Sequence, residues 1–231
     1  MPEDHLSGVR LLQLISPNLP IGAFTYSQGM EWAVECGWVS NKEETRQWLQ
    51  SVLHDSLQYL ELPVLLRLYQ AAKRSNQADF EYWSQWLYAS RETLELRQEE
   101  RQRARALHTL LGNLPESDAW PELEEWQDGL MSSQLAGFAL AARHWGITLN
   151  ELLQGYTWSW LENAVAVAVK LVPLGQTDGQ RLLYELGIEI CVLVDRTAAI
   201  EDDIVGARTP ALAIASRLHE TQYSRLFRSS P

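Results

Sequence analysis

The residues able to do chemistry are few and scattered. Five histidines, His5, His54, His108, His144 and His219, are spread along the chain, and none has a glutamate three positions before it. The Glu-x-x-His pattern of di-iron bundles is therefore missing. No H-E-x-x-H pair, no G-x-S-x-G elbow and no G-x-x-x-x-G-K-[ST] loop occurs, which removes the usual zinc-protease, hydrolase and phosphate-cradling readings. The triplet Glu201, Asp202, Asp203 has the charge for a hard cation but no spaced ligand set, and reads as a solvated helix end. Cys36 and Cys191 lie far apart, each inside an apolar helical pattern. They are expected as buried, reduced thiols of a cytosolic protein rather than a metal knuckle or redox pair. Neither a metal site nor a resident cofactor is expected, and the chain does not read as an enzyme.

Cations and aromatics offer docking chemistry instead. "RETLELRQEERQRAR" (91–105) carries Arg91–Glu95 and Glu99–Arg103 at i,i+4, which predicts mutual pairing on an exposed helix face. Lys170 ends an almost continuous apolar run. It either packs its stem near a helix C-terminus, or projects a cation from a rigid scaffold towards a partner. "FTYSQGMEW" sets Phe24, Tyr26 and Trp32 around a proline-rich connection, as plugs under a loop or as a groove for another segment. The terminal "HETQYSRLFRS" (219–229) bears Tyr223, Arg225, Leu226, Phe227 and Arg228, where a chain usually frays into small polar residues.

The elements that must position these groups are helical. Apolar residues recur at helical spacing, without hairpin signals. A first helix over Gly8–Ile15 stops before Pro17, and Gly37 ends a short one over "SQGMEWAVECG". Asn41 with Glu44, Thr148 with Glu151, and Thr177 with Gln180 have capping-box spacing. Asn76 suits a cap, Pro63 suits a first helical turn, and Thr209–Pro210 opens a last helix. "AVAVAVK" (164–170) alternates like a strand, but its alanines and setting favour a buried helix. "GNLPESDAWPEL" is the one real loop. The expected fold is all-α, a single-domain bundle of about eight to ten helices over 1–231.

Composition bounds the partners. With 46% hydrophobic residues and ten tryptophans among 231, the chain can bury a sizeable core. A formal charge of -11 disfavours non-specific binding to nucleic acid or an anionic membrane. The N-terminus lacks a secretory pattern and the run Leu161–Val172 is too short to span a bilayer, so a cytoplasmic protein is expected.

Four stretches together resemble one family. "LLQLISPNLPIGAFTYSQGMEWAVECGWV" (11–39), "RETLELRQEER" (91–101), "GYTWSWLENAVAVAVKLVPLGQ" (155–176) and "TPALAIASRLHETQYSRLFRS" (209–229) are similar to the urease accessory protein UreF family. The resemblance implies a helical homodimer without catalytic activity. It further implies a bridge between a UreD (UreH)-like accessory protein and a UreG-like GTPase, in a complex that supports nickel insertion into apo-urease. By the same resemblance, the tail 219–231 docks the UreD-like partner and helps build the UreG surface through Tyr223, Arg225, Leu226, Phe227 and Arg228. Lys170 falls at a position implicated in UreG contact or GTPase control, and Glu31 and Tyr26 lie in the family's first motif. The alternative is a direct nickel-binding metallochaperone, for which His219–Glu220 is the only suggestive start.

Overall fold

Asn41 begins the longest rod of the molecule. Its side chain accepts from the Glu44 N–H at 3.0 Å and opens α3 (Lys42–Ser51). The Glu44 carboxylate reaches Ser40, through backbone N–H and hydroxyl, rather than closing the box on Asn41 itself. From Val52 to Glu61 the turns widen into a π segment, and α4 (Leu62–Lys73) follows without a break. Pro63 lies in the first turn of α4, as its chemistry predicts, although that helix continues the same rod. Proline has no N–H to give the carbonyl four residues back. That carbonyl, on Tyr59, accepts from the Gly206 N–H at 2.8 Å.

The computed structural model describes residues 3–22 and 29–206; the expected helix from Thr209 lies outside them. Around the rod are α1 (Glu3–Leu14), α2 (Met30–Glu35), α5 (Gln77–Ala89), α6 (Leu94–Gly112), α7 (Glu122–Glu125), α8 (Gln127–Ser132), α9 (Gln134–His144), α10 (Leu149–Leu171) and α11 (Gln176–Thr197). No strand occurs among the described residues. Asn76 caps α5 by accepting from the Asp79 N–H. Thr148 and Glu151 form a complete, reciprocal capping box on α10. Gly37 ends α2 at φ +76, and the Trp38 N–H reaches back to the Ala33 carbonyl in a Schellman closure. Thr177 is a different matter: Gly175 holds the cap position of α11 and Thr177 lies within its first turn.

The core forms where α4 meets α9, α5 and the π segment, and where α10 packs along α11. "AVAVAVK" lies in α10, with Val165, Val167 and Ala168 buried. Alternation misleads there because both flanks of the helix are covered. α10 and α11 run antiparallel: the Cβ that Gly179 lacks would meet Val169, and the one Gly187 lacks would meet Trp158. Trp32 packs partly buried against the core, edge-on to Trp38 at 4.9 Å between centroids.

Two further expectations fail. Cys36 and Cys191 are exposed, not buried: Cys36 lies just past the end of α2, and the core face of α11 is carried by Leu186, Ile190, Leu193 and Val194. Arg91 is 9% exposed and lies in the interior instead of on a solvated face.

Candidate partner-docking surface

The charged stretch 91–105 turns inward because α6 buries the positions 100, 104, 107 and 111, a helical stripe that carries Glu100 onto the core face. Arg91, in the α5–α6 connection, donates from Nη1 to Glu61 Oε1 at 2.6 Å, and from Nη2 and Nε to Glu100 Oε2 at 2.7 and 3.0 Å. Glu100 Oε1 accepts from the Gln134 N–H at 2.9 Å, so the carboxylate also sits at the positive N-terminus of α9. Burial opposes the charge on Arg91, but Glu100 and Glu61 outweigh it and lift its pKa above the ordinary arginine value. Burial and the Glu61 carboxylate together push the Tyr156 phenol up. Arg103 pairs with Glu99 at 2.9 Å, as its spacing predicts, although Glu99 is buried. The cluster ties the π segment, α6 and α9 at one point. It is a clamp, with its groups committed to one another.

A second cluster holds the 112–126 connection. Trp120 stacks on His144 at 4.2 Å with 8° between planes. Glu122 receives Arg143, and meets His144 Nε2 at 3.1 Å. Burial opposes ionisation of Glu122, but hydrogen bonds from its own backbone N–H, Arg143 and His144 hold its pKa below the ordinary value. Burial also lowers the His144 pKa, and Glu122 offsets this only in part.

The residues singled out for docking are dispersed. Lys170 is exposed in the last turn of α10. Glu31 is buried in the first turn of α2, 6% exposed, where a carboxylate complements the helix N-terminus. Tyr26, Tyr223, Arg225, Leu226, Phe227 and Arg228 lie outside the described residues, as does His219–Glu220. The chain reaches its last 25 residues from Gly206, held at Tyr59. Arg67 steadies the approach by donating to the Ile200 carbonyl at 2.8 Å and pairing with Asp202. The acidic triplet is otherwise solvent-facing. Because α11 runs antiparallel to α10, Lys170 lies near the start of α11, whereas Gly206 is held at Tyr59, beside the Gln58 that reaches Leu193 in the last turns of α11.

What this arrangement offers is surface. Among the described residues no three His, Cys, Asp or Glu groups gather to hold a metal ion. No helix there is long and apolar enough to cross a membrane. Sequence reasoning missed the exposed apolar stripe Tyr184, Ile188 and Val192 on α11, and the stripe Leu6, Val9 and Leu12 on α1. Both were readable as helical spacing, but amphipathic patterning does not tell which apolar side lacks a neighbour.

The UreF family model matches residues 39–187. The chain is 58% identical to a urease accessory protein UreF of Alcanivorax borkumensis, covering 95% of this chain and 97% of that one. It is 50% identical to the urease accessory protein UreF of Pseudomonas entomophila, over 97% and 98% of the two chains. Against that of Chromohalobacter salexigens it is 44% identical, over 98% and 96%.

Proposed function

This chain belongs to the UreF family of urease accessory proteins, and from that premise we propose that it is a non-catalytic, dimeric scaffold in the cytoplasm. It joins a UreD (UreH)-like protein to a UreG-like GTPase, and the assembly supports nickel insertion into apo-urease. GTP hydrolysis belongs to the UreG-like partner and nickel ligation to other components. The observation that carries the reading is the position of Lys170. It ends a helix whose buried face is apolar, yet lies exposed in the last turn beside the short 172–175 connection. A cation on so rigid a support is suited to an acidic partner surface.

The C-terminal segment supplies the other contact. Leu226 and Phe227 gain by burial in a partner groove, and Arg225 and Arg228, three apart, share a face if that segment is helical, suited to carboxylates. Glu31 and Tyr26 belong to the first motif and act, in this reading, by shaping the surface around α2.

The test is a pull-down of full-length chain, chain lacking 219–231, and Lys170→Ala with both accessory partners and apo-urease. The truncated chain keeps its helical spectrum and loses the UreD-like protein; Lys170→Ala keeps the UreD-like protein and loses or weakens the GTPase. Normal urease activation by the truncated chain refutes the scaffold. Tight stoichiometric nickel binding by the isolated protein, lost on His219→Ala, replaces it with the metallochaperone reading.

A further inference from the structure

After α11 ends at Thr197, residues 198–206 turn back and lie along the rod. Two points tie this strap down: Arg67 in α4, which takes Ile200 and Asp202, and the Tyr59 carbonyl, which takes Gly206. On the rod these points are eight residues apart, about 12 Å at a helical rise. Between them runs one 3₁₀ turn, Asp202–Ile204, with Ile204 exposed and Val205 buried. The docking residues of the function proposed above follow Gly206 in the chain, so the strap sets where their segment starts.

Arg67 commits all three nitrogens of its guanidinium. Nε donates to Asp202 Oδ1 at 2.7 Å, and Nη2 donates to the same oxygen. Nη2 also reaches the Ile200 carbonyl at 2.8 Å, and Nη1 donates to the Pro63 carbonyl at 3.0 Å. The guanidinium carbon lies 4.8 Å from the centre of the Trp83 ring on α5. Pro63 and Trp83 belong to the body of the molecule, Ile200 and Asp202 to the strap. The fork is thus fixed on one side and grips on the other. A lysine would keep the charge but not the planar fork, and could not bridge a carbonyl and a carboxylate while lying flat on an indole.

The two sides of the pair differ in exposure. The Arg67 side chain is 12% exposed and that of Asp202 76%. An ion pair with one member so open contributes little to the stability of a fold. Breaking it frees a connection and leaves the interior shut, so its place in the chain matters more than its strength.

We propose that Arg67 is a positioning residue for partner docking: by gripping Ile200 and Asp202 it fixes the course of 198–206, and through it the origin of the C-terminal docking segment. The proposal rests on the docking role given to that segment above. A held strap enters the complex already ordered. A released one must be ordered at the moment of binding, and that conformational entropy is subtracted from affinity. Arg67 acts without touching the partner.

The experiment titrates the full chain onto immobilised UreD-like protein and follows amide hydrogen exchange of 198–206 in the free chain, with circular dichroism as the folding control. Wild type binds, and its Gly206 amide is protected. Arg67→Met keeps an apolar stem on Trp83 and the helical spectrum, exchanges Gly206 faster, and binds about tenfold more weakly. Arg67→Lys falls between the two. Asp202→Ala shifts both readouts in the same direction by less, and Asp203→Ala, one residue on, shifts neither. Should Arg67→Met fail to fold, Asp202→Ala decides, because its exposed side chain can be removed without opening the core. Wild-type exchange in the folded variants shows that Arg67 does not hold the strap and overturns the proposal. Weakened binding with wild-type exchange makes Arg67 a direct contact, and also overturns it. Fast exchange with wild-type binding overturns it as well, and leaves the scaffold standing. A wild type that does not bind the UreD-like protein brings down the scaffold reading itself, and this inference with it.

Discussion

Removing the guanidinium of Arg91 would strand two carboxylates. Glu61 and Glu100 are 5% and 3% exposed, and Arg91 gives three hydrogen bonds to them. Glu100 would keep the Gln134 N–H, but Glu61 Oε2 is without a partner even with Arg91 in place. Breaking a buried pair by deleting one member costs about 3–5 kcal/mol, because the remaining charge is uncompensated. Arg91→Ala should therefore lower the urea-unfolding free energy by that amount. For a chain of this size the melting temperature should fall by roughly 6–20 °C. Replacing the whole triad by near-isosteric neutral groups, Glu61→Gln, Arg91→Met and Glu100→Gln together, should recover most of the loss, to within ~1–2 kcal/mol of wild type. Unfolding followed by tryptophan fluorescence and far-ultraviolet dichroism, near neutral pH, reads both variants. A cost below ~1 kcal/mol for Arg91→Ala, or a triple variant no more stable than the single one, would refute the claim that buried charge drives the effect.

Gly137→Ala should destabilise by about 1–2 kcal/mol despite the better helix propensity of alanine, because the new Cβ would meet Leu107 Cδ2 at 2.6 Å in the packed α6–α9 contact; urea midpoints measure it. Thr148→Ala should cost ~1 kcal/mol by opening the capping box of α10, seen in the same assay. Acidification should weaken the fold in two stages. His144 and Glu122 both have folded pKa values below their ordinary ones, so each stabilises at neutral pH. The first contribution fades as pH drops below 6.5 and the second below 4.5. Glu122→Gln should lower stability at pH 7 and remove the second stage, as urea midpoints between pH 7.5 and 4 would report.

Helix positions were largely legible because local chemistry set them. Asn76 and Thr148 act through side-chain oxygens on N–H groups three residues away, and such bonds need no tertiary knowledge. Thr177 has the same spacing but not the role, because the glycine at 175 already turns the chain into α11. The inward turn of 91–105 was misread because i,i+4 charge pairs suggest solvent, whereas the partners of Arg91 stand 30 and nine residues away. Spacing alone held the clue: Glu100 shares a stripe with Ala104, Leu107 and Leu111. The exposed cysteines show the converse error, since apolar neighbours in sequence are not neighbours across a helix. Of the candidate docking residues, Lys170 was legible as a cation at the end of an apolar run, and its exposure became visible only in the folded chain. The exposed stripe of α11 was not, because exposure of one helix side depends on which elements arrive to cover it.

The hydrogen that Pro63 lacks has an effect far down the chain. The Tyr59 oxygen, which Pro63 has no N–H to reach, accepts from the Gly206 N–H. Residues 207–231 follow directly on that berth. Restoring an amide at position 63, as in Pro63→Ala, introduces a rival for the same oxygen. A substitution in the middle of the sequence would then loosen the root of its far end without touching a single residue there.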